Sequence, residues 1–62
     1  MAQSLQDHIE ESARAIEVEA GKLLDLVVLL NAAGNIELAW VVSMQAQKLI
    51  DAAVALRVAM AE

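Results

Sequence analysis

The side chains that could do chemistry are few: one histidine, three serines, nine carboxylates and no cysteine. His8 stands near Glu11 and one helical turn before Ser12, so these three could share a helix side, and a symmetric dimer would double them into a surface metal site. A solvated histidine in the first turns of a helix is the simpler reading. Di-iron bundles place a glutamate three residues before a histidine and add further inward carboxylates. Here residue 5 is Leu5, and no carboxylate falls on a core position. No metal and no cofactor are expected. Glu10, Glu11, Glu17, Glu19 and Asp25 supply enough carboxylates for a general acid and base, but they lie off the apolar stripe and read as a solvated acidic face. Ser4, Ser12 and Ser43 are the only hydroxyl side chains, and His8 is too far along the chain to serve Ser43 readily. Gly21 and Gly34 make no phosphate loop. No catalytic residue is assigned, and the chain is expected not to be an enzyme.

The elements that would position such groups are clearer than the groups. Ile9, Ala13, Ile16, Ala20, Leu23, Val27 and Leu30 recur at alternating steps of four and three. Ala39, Val42, Ala46, Leu49, Ala53, Leu56 and Met60 do the same on the far side of a Gly-Asn break. In heptad letters Ala13, Ala20, Val27, Ala39, Ala46, Ala53 and Met60 take position a. Ile9, Ile16, Leu23, Leu30, Val42, Leu49 and Leu56 take position d. Small residues at a and large aliphatics at d let helices approach closely while the large side chains fill alternate layers. These fourteen residues are the expected oligomer interface.

The spacing predicts a single helical-hairpin domain over residues 1–62. Helix 1 should span about 5–32, the turn 33–35 and helix 2 about 36–61. Ser4 is placed to cap helix 1, with Asp7 three residues on. Gly34 suits the left-handed residue that ends it, and Asn35 can open helix 2. So short a connection makes the helices antiparallel neighbours. Gly21 sits at an outer position of helix 1, where it weakens the helix relative to alanine.

Apolar residues make up 60% of the chain, against about 45–50% in an ordinary domain. A lone hairpin buries only one stripe per helix, and chains this short use disulfides, a metal or a partner to hold a fold. Without cysteine, and with one histidine, the remaining route is association. Two hairpins supply four helices, so the expected fold is all-α: an antiparallel helical hairpin that dimerises into a four-helix bundle, with two-fold symmetry as the default. The expected partner is a second copy, as a homodimer or a tetramer. Further apolar residues, Trp40, Val41, Val54 and Val58, lie off the seam. They either pack against other copies or form a second contact for another protein, with Trp40 the natural anchor.

The formal net charge is −5. Nucleic acid and anionic membrane surfaces call for clustered cations, whereas Arg14, Lys22, Lys48 and Arg57 are scattered, so neither partner is expected. The longest uncharged apolar run, Leu26 to Leu30, is far short of the roughly 20 residues a spanning helix needs. The first residues show no basic stretch leading into an apolar core, so no secretory signal is read. A cytoplasmic location is expected.

With its length, single short turn, alanine at a and leucine-like residues at d, the chain resembles the Rop family, small plasmid-encoded modulators that are dimers of helical hairpins. The resemblance covers nearly the whole chain at the level of architecture. It implies a bacterial-type bundle and, as an alternative function, a nucleic-acid-linked regulator, because that family binds paired RNA loops through polar and basic residues on the outer face of its first helices. Here that face carries Asp7, Glu10, Glu11, Glu17 and Asp25, with Arg14 and Lys22 as its cations. No RNA-contacting residue is carried over. The primary expectation is a non-enzymatic oligomerisation and protein-interaction module.

Overall fold

A computed structural model of the chain describes residues 4–61. It contains two helices, α1 (Leu5–Ala32) and α2 (Ile36–Ala61). Proline is absent from the sequence, and alanine and leucine, the strongest helix formers, supply ten of the 28 residues of α1 and ten of the 26 of α2. Among the described residues only Ser4 and residues 33–35 lie outside a helix.

Each end of α1 has a specific backbone solution. Ser4 is extended (φ −69°, ψ 158°), and its hydroxyl accepts a hydrogen bond from the Asp7 amide at 3.1 Å. That satisfies one of the amides an N-terminus leaves unpaired. At the other end Gly34 adopts φ +81°. The Asn35 amide donates to the Leu30 carbonyl at 2.8 Å, and the Gly34 amide to the Asn31 carbonyl at 3.0 Å. These are the two bonds of a Schellman motif. The chain leaves the motif directly into α2, where the Ala39 amide donates to the Asn35 carbonyl at 3.0 Å.

The two glycines should therefore respond oppositely to alanine. Gly34→Ala forces a side chain into the left-handed region and should cost about 1 kcal/mol. At Gly21 the backbone is helical and a methyl group would meet nothing within 4 Å. Gly21→Ala should add roughly 0.5–1 kcal/mol of stability. Thermal or urea melts of the two variants check both signs.

The helices lie side by side in a slab measuring 51 × 20 × 10 Å, one helix thick. Among the described residues the fully buried ones are all alanine: Ala13, Ala20, Ala39, Ala46 and Ala53. These are the alanines of position a. The large residues of position d, Ile9, Ile16, Leu23, Leu30, Val42, Leu49 and Leu56, are only half-buried, as are Val27 and Met60. The contact line thus runs along position a, not midway between a and d. Alanine allows the closest backbone approach, so the helices rotate to bring that line together. The rotation turns the d residues partly outward.

Position e lies about 40° to one side of a, and position d about 60° to the other. Burial follows this geometry. Glu10, Ser43, Ile50 and Arg57 at e are half-buried and Glu17, Leu24, Asn31 and Ile36 at e are exposed, whereas at g Ser12, Glu19, Leu26, Leu38, Gln45, Ala52 and Ala59 are all exposed. Counting outward from the turn gives a regular pattern. Residues equidistant from the Gly34–Asn35 bond are Ile9 and Met60, Ala13 and Leu56, Ile16 and Ala53, Ala20 and Leu49, Leu23 and Ala46, Val27 and Val42, Leu30 and Ala39. Five of these seven levels join one alanine to one large aliphatic, and one joins two valines of intermediate size. The volume at each of these levels is nearly constant, which is what even layers require.

Candidate functional site

The hairpin has two broad faces, and they differ. One carries positions d and g. Its half-buried stripe of Ile9, Ile16, Leu23, Leu30, Val42, Leu49 and Leu56 runs the length of the molecule. Exposed Leu26 and Leu38 widen it at the turn end. Glu19 is the one charged residue at its d and g positions, and it pairs along its own helix with Lys22 at 3.2 Å.

The other face carries positions e and b, and it is divided. Away from the turn it is ionic. Arg57 of α2 reaches across to two carboxylates of α1. Its guanidinium donates to Glu10 at 3.0 and 3.3 Å and to Glu17 at 3.0 Å, with a second, shorter bond to Glu17. Arg14 adds a 3.6 Å pair to Glu10 within α1. A guanidinium fork can serve two carboxylates in this way because its donors are planar and fixed. Glu10 and Glu17, expected on a solvated acidic face, are instead part of an inter-helix clamp. Spacing within a helix does not pair them with Arg57, which lies 47 and 40 residues away. The available signal was positional: all three occupy e, and equal letters share a face in an antiparallel pair.

The Arg57 hydrogen bond is the main cause holding the Glu10 carboxyl below its ordinary value of 4.5. Arg57 is in turn raised, first by its bond to Glu17 and then by that to Glu10, so it stays charged at every working pH. A carboxylate whose folded-state pKa is depressed stabilises the fold above its unfolded value, and that contribution is lost as pH falls through the folded value. Arg57→Gln should therefore lower the melting temperature at pH 7. The difference from the parent chain should shrink as the pH drops below 4.5. Paired melts across that range check the sign, and a gap unchanged in acid would show that the clamp acts through packing alone.

Near the turn the same face is apolar. Trp40 is 66% exposed and Ile36 61%. An open hollow of about 450 Å³ lies against Ile36, Glu37, Trp40 and Val41, and one of about 210 Å³ against Val27, Asn31, Ile36, Ala39, Trp40 and Ser43. Of thirteen large apolar residues exposed among the described ones, nine fall between Leu24 and Met44. Val54 and Val58, also exposed, lie further along α2.

The reactive groups do not converge. His8, Glu11 and Ser12 are exposed, as are Glu19 and Asp25. Among the described residues no group of three or more histidine or carboxylate side chains could hold a metal ion, and no helix is long and apolar enough to cross a membrane. The candidate site is therefore a surface: the continuous d and g face. Comparison of the chain with known protein families, with curated proteins and with solved structures finds no match.

Proposed function

We propose that the chain is an oligomerisation module that pairs with a second copy of itself through its d and g face to form a four-helix bundle. The observation that carries this reading is that, among the described residues, the hairpin alone fully buries no side chain larger than alanine. Its large d residues lie in one uninterrupted stripe, half-covered by the hairpin itself. A second copy supplies a matching surface. Most levels of the hairpin contribute one small and one large residue, so a two-fold axis gives layers of two small and two large. That is the composition from which four helices pack evenly. The divided charged and apolar face is left on the outside of such a dimer. Its charged half carries Glu10, Glu17 and Arg57, groups that would cost several kcal/mol to bury if unpaired. The net charge of −5 per chain gives the dimer solubility and works against contact with nucleic acid.

Absolute mass in solution by light scattering on a sizing column tests this directly, with helicity followed over a hundredfold dilution. The expected species has twice the chain mass of 6.6 kDa and stays highly helical until dilution dissociates it. A highly helical particle of single-chain mass at all concentrations would end the proposal.

A further inference from the structure

We propose that the turn-proximal half of the outer face, centred on Trp40, is a docking site for an amphipathic helix of another protein that carries lysine or arginine beside its large apolar side chains. Trp40, Ile36 and Ser43 share this face with Asn31, on the side of the slab opposite the d stripe, so the site stays open when two copies pair. Two open hollows, of about 450 and 210 Å³, are both lined by Trp40 and Ile36 and have room for large side chains. The mode fits a helix that lays its apolar stripe into a shallow groove.

Charge selects the occupant. Between Lys22 and Lys48 the sequence holds two charged residues, Asp25 and Glu37, both acidic, and Glu37 lines the larger hollow beside Trp40. A second copy docked patch to patch would bring Glu37 toward Glu37 with no cation from either turn half to offset it. A single helix with basic residues flanking its apolar stripe meets this acidic rim with charges of opposite sign.

Trp40 is the only aromatic residue, so its fluorescence reports this site alone. The experiment titrates a short leucine and lysine amphipathic helix, and its leucine and glutamate counterpart, into the full chain, with light-scattering mass recorded on the same samples. The lysine peptide should give a saturable blue shift with one peptide per hairpin and bind at least about tenfold more tightly than the glutamate peptide. Ile36→Ser should weaken it about tenfold, Glu37→Lys should reverse the preference, and Glu11→Gln at the other end of the molecule should change neither. Absence of binding by both peptides overturns the proposal. So does equal binding, or a loss of preference in Glu11→Gln as large as in Glu37→Lys, which would mark general attraction to an acidic chain. A free protein whose Trp40 emission is already blue-shifted in a particle larger than a dimer assigns the patch to further copies instead. A shift produced by neutral phosphatidylcholine vesicles but by neither peptide assigns it to a lipid surface. The mass record keeps this result separate from the self-pairing of the d and g face, since either surface can fail alone.

Discussion

Ala46→Glu is expected to leave the chain without a cooperative unfolding transition. Ala46 is 0% exposed and lies on the line where the two helices approach most closely. Any larger side chain there must push the backbones apart, and the neighbouring buried residues are alanines that cannot rotate aside. The carboxylate adds a second cost. Arg57 is already held by Glu10 and Glu17, and the opposite level of α1 offers Leu23. Burying a charge without a partner costs several kcal/mol, comparable to the whole stability of a chain this size at about 0.05–0.15 kcal/mol per residue. Ala55→Glu, at an exposed position of the same helix, should change stability by no more than about 0.5 kcal/mol. Circular dichroism melts of the two variants side by side make the comparison. Cooperative melting retained by Ala46→Glu would mean that the contact line does not run along position a.

Leu49→Ala and Leu23→Ala carry the second large effect, because they separate a hairpin from a bundle. Both leucines are half-buried in the single chain, where truncation removes a partly hydrated side chain and should cost about 1 kcal/mol or less. Covered by a second copy, the same leucines become core residues, for which truncation costs about 2–5 kcal/mol. Each dimer loses the side chain twice. After subtracting the loss already felt by the lone hairpin, the dissociation constant of the dimer should rise at least about thirtyfold for either variant, and the melting temperature should become more dependent on concentration. Sedimentation or light scattering across a dilution series measures the first, and melts at two concentrations the second. A loss of about 1 kcal/mol with no dependence on concentration would return these residues to the surface of a lone hairpin. Leu49→Asp should act in the same direction and more strongly, since it adds a desolvated charge to the missing packing.

Much of this structure was legible in the chain itself. The number and order of helices, the Ser4 cap and the left-handed Gly34 follow from local rules: helical periodicity, unpaired end amides and the freedom of a residue without a side chain at positive φ. These act over a few residues, and short-range sequence carries them completely. The alanines at position a were likewise visible as one side of a seam.

Three features were not legible, and each has the same physical origin. The heptad pattern marks a and d together as apolar, and only packing shows that the helices close on a and rotate d outward, because the rotation depends on how closely two backbones can approach. The Arg57 clamp joins residues far apart in sequence, and charge spacing within a helix is blind to it; it exists once antiparallel pairing puts equal heptad letters on one face. The separation of Trp40 from the d stripe is a matter of which side of the slab each residue occupies. Each helix's own pattern marks its apolar stripe. Which part of that stripe closes against the other helix and which part turns outward follows from the relative rotation of the two helices, a quantity that no single helix contains.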